Sequence, residues 1–394
     1  TVTYDMLSDV VFGQIHVEGT LQFSRTVSTR LKLSSNLHVM MGGFLDIGTA
    51  DSPIPRNVRA EVIFVLPKGY AFTGGPHFQE RDTGLWAMEG GRWESHGAPL
   101  LRTWSKLSGD VPVSATTVTV ENDVTDWYAG GSVVVTQTSS PAQPGKGTSP
   151  PESCHSPAPC WYVWENEVRV ITALTPLLNG RTQITLNQPL VYAHQGMGKT
   201  RGEVGLLTRN ILIRTEITGV SDAILDNDLR ERRFAHTMIM HQGSMGKVQY
   251  TEFKYMGHLG TLARYPIHLH QVGIAGKDMV VRGNSIWRSG NRGYQLHDVQ
   301  GSLWEDNVSF DTTQSPLYVE RTPGGSAVGP PSDNSLVHNL AVQSSAGTSF
   351  APAPGTPEQN DATILWFDTL DQIVLGNVLV GGGSNVGRGA PQGS

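Results

Sequence analysis

Two histidines stand one residue apart in "YPIHLHQV" (265–272), and another follows in "GYQLHDVQ" (293–300). Alternate side chains of a strand leave on the same side, so His268 and His270 address one surface. The chain can be aligned on an asparagine that recurs beyond each such run. His241, His270, His297, Glu320 and Asp368 then become equivalent positions on five consecutive segments. If the segments are coils of a parallel stack, neighbours lie about 4.7–4.9 Å apart and these side chains form one stripe. Neutral imidazoles that close offer a borderline-soft cation site, which favours zinc or another transition metal over calcium, though calcium remains possible. The expected metal ligands are His241, His270 and His297, with His236 and His268 beside the site. Asp298, Glu320 and Asp368 are the candidates for general acid and base. Stacked polar residues also build ordinary structural ladders, so the stripe by itself leaves that reading open.

Around the histidine segments lie Arg264, Arg282, Arg288 and Arg292, whose guanidinium forks suit a sugar carboxylate. Trp287 offers a flat surface for a sugar ring, as do Trp304 and Trp366, although inward packing competes with that role. The acidic run "SDAILDNDLRERR" (221–233) lacks the glycine and terminal glutamate of a helix-loop calcium site. It reads as a solvated loop, with an oxygen-ligand calcium site as the rival.

What must position these groups is a chain of 394 residues with 45 glycines, 23 prolines and only 16% charged residues. Long amphipathic patterns are missing. Short β-branched runs alternate with Gly, Asn and Asp, which predicts many short strands. Gly19, Gly43 and Gly91 are spaced by 24 and 48 residues, one and two units of one period. Asn284, Asn307, Asn339 and Asn377 follow at intervals of 23, 32 and 38, the excess falling in Gly/Pro/Ser-rich stretches. Coils of that length with variable loops predict an all-β, right-handed parallel β-helix, its asparagines stacked at a turn as an amide ladder in the left-handed conformation. The expected division is a β-rich N-terminal domain over 1–200, with an insertion at about 137–161, continuous with a β-helix over 201–394.

A net charge of −6 gives no electrostatic reason to expect nucleic acid. No apolar run reaches the roughly 18 residues a membrane span needs. The chain starts at Thr1 within a strand-like pattern, so a leader peptide is expected to have been removed or to lie upstream. Cys154 and Cys160, separated by five residues in a polar loop, are expected to pair, which implies an oxidising compartment.

Successive landmarks carry a family resemblance: "DWYAGGSVVV" (126–135), "ENEVRVIT" (165–172), "TQITLNQPLVYAH" (182–194), "RGEVGLLTRNILI" (201–213), "AHTMIM" (235–240) and "RYPIHLH" (264–270). In this order the chain resembles the eight-glycine domain followed by a parallel β-helix, as in fibrocystin-like proteins and the animal hyaluronan-degrading cell-surface and secreted proteins. The resemblance runs from about residue 15 to 345. It implies a secreted, extracellular protein whose β-rich N-terminal domain leads straight into the helix. Some members are reported as calcium-dependent glycosaminoglycan depolymerases, and others have no assigned catalysis. His236 and His96 fall on family motif positions, the latter read as structural. The expected function is therefore a metal-dependent enzyme that depolymerises an extracellular, anionic polysaccharide, acting as a monomer. The alternatives are a non-catalytic glycan-binding or adhesion module and a metalloenzyme with another substrate.

Overall fold

The computed structural model describes residues 1–75, 77–139, 164–228, 231–344, 363–369, 371–381 and 384–388. Cys154 and Cys160, with most of the 137–161 insertion, lie outside them. Among the described residues there are three nine-stranded sheets and one six-stranded sheet. Every pairing in the three large sheets is parallel, for example Trp93 beside Gly246, Ile213 beside Phe253 and Leu269 beside Leu296. Each coil contributes one strand to each sheet, which is the parallel β-helix that the repeat spacing predicts.

The interior follows from strand alternation. Ile267, Tyr294, Leu317 and Leu365 stack in register on one wall, and Val248, Val281, Trp304 and Leu336 on another. All eight are buried in one continuous core. Each such side chain contributes roughly 1.5–3 kcal/mol by leaving water.

At one corner the amide ladder forms as expected. Asn284 donates its backbone N–H and its side-chain amide to Oδ1 of Asn307, both at 3.1 Å. Asn307 repeats the pattern on Asn339, and Asn339 on Asn377. The second amide hydrogen goes to a carbonyl in the coil below, Val281 for Asn307 and Trp304 for Asn339. The left-handed residue is not the asparagine but the one before it: Gly283, Asp306, His338 and Gly376 have φ between 54° and 67°. That residue turns the corner and leaves the asparagine free to face inward.

The domain division differs from the one the sequence suggests. Coils already run from Val2–Tyr4 onward, and the fourth coil is interrupted. Arg92–His96 stacks on Met245–Gln249, while the next strand of that coil, Ile211–Ile217, comes more than a hundred residues later. Between them, strands from Trp104 to Leu206 form the antiparallel sheet around a core of their own. Trp104, Val134 and Leu207 seat this module on Trp287, Val308, Phe310 and Leu340, the outer face of the second sheet. A boundary at residue 200 therefore cuts near the end of an insertion and not between two domains in series. The alternating pattern of antiparallel strands looks like that of coil strands, so the exit and return are invisible until the pairing is known.

Candidate metal centre on the outer face of the third sheet

The third sheet contains the strands His236–Met240, Ile267–Gly273, Tyr294–Val299 and Leu317–Glu320. Ile267 and Leu269 face the core, so His268 and His270 face outward together. His268 pairs with Gln295, His270 with His297, and His297 with Glu320. Asp368 follows Phe367, the partner of Val319, and donates its N–H to the Val319 carbonyl. The expected order therefore holds from His270 to Asp368.

It fails at His241. Met240, not His241, is the partner of His270. His241 sits one residue beyond the register with φ 65°, in the same position as Gln271 and Asp298, with φ 51° and 50°. The left-handed turn ends the strand and swings the side chain back, leaving its ring 5.9 Å from that of His270.

The histidines that converge are His268, His270 and His297. One nitrogen from each lies within 4.8 Å of the others. The His270 ring is 5.1 Å from His268 and 4.8 Å from His297, nearly perpendicular to both, while the outer two rings are parallel. His268 and His270 are buried and His297 is the partly exposed member. His268, expected only beside the site, belongs to the set, and His241 stands at its edge.

The polar atoms of this cluster are the most informative. Nε2 of His268 and both ring nitrogens of His270 are buried without a hydrogen-bond partner. An unsatisfied buried polar atom costs about 1–3 kcal/mol, so three in one cluster call for a ligand. Burial, then neighbouring His297, His241, His77 and Arg264, push His270 down to about 2. His268 is held well below its usual range by burial, with His270 and His297 adding to it. Both rings are thus neutral near pH 7, the form that binds metal.

The carboxylates are all engaged. Glu320 accepts from Arg292 at 3.1 Å and from Gln295 at 2.8 Å. Asp368 accepts from the Arg321 N–H and the Trp366 indole. Asp298 is fully buried and accepts from the N–H and hydroxyl of Thr322. Thr322 and Gln271 were not expected here: Thr322 lies outside every motif, and Gln271 follows His270 in the strand, where alternation turns it to the other side.

The expected substrate contacts disperse. Arg264 is buried in an ion pair with Asp82 and pins the 73–82 loop over the sheet. Arg282 pairs with Glu305 on the first sheet. Arg288 and Trp287 lie on the second sheet, where Trp287 donates to Glu252. Arg292 bonds the stripe itself, at Glu320, and is stacked on Tyr318 with its charge 3.7 Å from the ring centre. Trp366 stacks on the other side of Tyr318, with rings 5.9 Å apart and nearly parallel. His236 is buried between Trp86 and Phe72, away from the cluster. The acidic run is a short helix, Asp222–Asn227, and not a solvated loop, with Asp222 paired to Arg214 and Lys254.

Residues 1–108 match the family model described as the G8 domain, and residues 234–385 match the one described as the CEMIP beta-helix. The two matches stand in the order of the G8 and β-helix architecture that the landmarks suggest. The interval between the two matches contains the inserted antiparallel module except its first strand, Trp104–Lys106. Mouse fibrocystin-L is 26% identical over 89% of the chain, which spans only 8% of that relative. A G8 domain-containing protein of Dictyostelium discoideum is 27% identical over 70% of the chain and 20% of its own length. Human cell surface hyaluronidase CEMIP2 is 31% identical over 38% of the chain and 11% of its own length. Among the described residues no helix is long and apolar enough to cross a membrane.

Proposed function

We propose that this G8 and β-helix chain is an extracellular metal-dependent enzyme that depolymerises an anionic polysaccharide at the His268, His270 and His297 cluster. The observation that carries the metal is that His268, His270 and His297 each bring one nitrogen within 4.8 Å of the others, while Nε2 of His268 and both nitrogens of His270 are buried without a partner. The substrate class draws support from the name of CEMIP2 and from Arg292, the predicted arginine that bonds the stripe at Glu320. Three nitrogen donors and no oxygen donor favour zinc or another transition metal over calcium, which takes six to eight oxygens. A bound ion of this kind supplies Lewis acidity and an acidified water. Glu320 lies one rung from His297 and is the carboxylate best placed to take or give a proton, with Arg292 holding its orientation. Asp368 stands one rung further.

A second reading, glycan binding without catalysis, draws on the engaged state of Glu320 and Asp368 and on the Tyr318–Trp366 stack. Elemental analysis and zinc and calcium titrations of untagged protein, purified without chelators, separate the two. About one equivalent of transition metal is expected. His268→Ala, His270→Ala and His297→Ala should each weaken zinc binding at least ~100-fold, while His241→Ala stays within a few-fold. Size-exclusion profiles of hyaluronan and other anionic polysaccharides report cleavage, which Glu320→Gln should slow without loss of metal. Full cleavage by metal-free protein would sink the enzyme reading as stated.

A further inference from the structure

The hydrogen bonds around His297 determine more than its position. Thr322 lies just past the strand Leu317–Glu320, and its hydroxyl meets three groups at once. Oγ1 is 2.9 Å from Nε2 of His297 and 3.1 Å from the side-chain amide nitrogen of Gln271, and it bonds Oδ2 of Asp298. The Thr322 backbone N–H donates to the other Asp298 oxygen at 3.1 Å, which locks the carboxylate in place.

Proton counting settles the directions. An ionised carboxylate only accepts, and a hydroxyl has one proton and two lone pairs. The Thr322 proton therefore goes to Asp298. Its two lone pairs accept from Gln271 and from His297, so the His297 proton sits on Nε2 and its Nδ1 keeps a lone pair. At the opposite side of the cluster the arrangement is mirrored. Nδ1 of His268 faces the Ala263 carbonyl at 3.4 Å, leaving the unpartnered Nε2 as the lone-pair nitrogen.

We infer that Thr322, oriented by Asp298, is a positioning residue that fixes the tautomer of His297 and so presents Nδ1 to the ligand. The inference rests on the reading of the histidine cluster as a metal site. It moves Asp298 from the acid–base candidates to the support of a ligand, a role in which such partners typically change metal affinity by about 10–100-fold. Gln271 and Asp298 reach this hub because both are left-handed residues at equivalent strand ends.

The test uses the full chain with 15N-labelled histidine, the His297 signals being identified by their loss in His297→Ala. In metal-free wild type, His297 is expected as a single Nε2–H tautomer. Thr322→Val should release it to a mixture and weaken zinc binding about 10–100-fold, in a chain that still folds but melts a few degrees lower because buried Asp298 loses a donor. Thr322→Ser should restore both the tautomer and zinc affinity to within about three-fold of wild type. Asp298→Asn, whose amide can donate to Oγ1 and turn the hydroxyl proton toward His297, should favour the Nδ1–H form. An unchanged His297 tautomer in Thr322→Val, or wild-type zinc affinity in that variant, overturns the inference. A wild type that binds no zinc overturns the metal reading instead, and the tautomer of the metal-free protein still decides this one.

Discussion

The asparagine corner and the histidine face use the same device, one polar side chain per coil stacked along the helix, with opposite results. In the amide ladder every link is closed. Asn307 accepts from Asn284 and donates to Asn339 and to the Val281 carbonyl, at 2.9–3.1 Å. An amide is donor and acceptor at once, so a stack of identical amides satisfies itself. Neutral imidazoles crossing at right angles do not. His270 is buried between two others and neither of its nitrogens has a partner. The comparison teaches that regular stacking is no guide to role. Whether the stack closes its own hydrogen bonds is the better criterion: a closed stack stabilises itself, and the open one is what the metal proposal rests on.

The largest expected effect is on the closed stack. Asn307→Ala removes four hydrogen bonds and strands the Asn284 N–H and the Val281 carbonyl in the core. It should cost about 4 kcal/mol in denaturant unfolding. A loss below about 1 kcal/mol would break the contrast, because the ladder would then carry no more than surface polar groups do.

Next comes acid. His38, on the outer face of the third sheet near the N-terminus, is another buried imidazole without partners, pushed down to about 4 by burial and then by His16. Its folded value lies below the ordinary 6.5, so the unfolded chain takes up the proton first. Stability from this group is intact above pH 6.5 and is lost as pH falls toward 4, by up to about 3 kcal/mol. The difference in unfolding free energy between wild type and His38→Gln should grow over that window and level off below it. A flat difference would show that the ring finds a partner in solution.

The smallest effect is the sharpest. With no metal bound, His270→Leu should raise stability by about 1 kcal/mol, since it replaces unsatisfied nitrogens with a side chain of similar size. Metal binding should vanish in the same variant. Destabilisation of the metal-free protein would place the imidazole column with the amide ladder as a structural stack.

Much of this was legible before any coordinates. The coil period, the asparagine ladder and the register of His270, His297 and Glu320 follow from spacing, because the strands pair residue for residue up to these positions and the irregularity between His270 and Gly273 lies beyond them. His241 escaped for a local reason. Its coil has Thr251 at the place of the marker asparagine, and the span from Met240 to Thr251 is one residue longer than that from His297 to Asn307. Thr322 escaped because a residue outside every motif becomes a hub only when Gln271, His297 and Asp298 are brought around it.

By itself, then, the sequence determined the architecture and which residues share a face within one strand, since both depend on periodicity along the chain. Tertiary structure alone decided which faces meet. Arg282, Arg288 and Arg292 lie within eleven residues, yet the first two stand on different sheets and only the third reaches the histidine column. A coil turns through three sheets in some twenty residues, so nearness in sequence becomes separation in space. Residues a whole coil apart, such as His270 and His297, become neighbours at the spacing of a hydrogen-bonded strand pair.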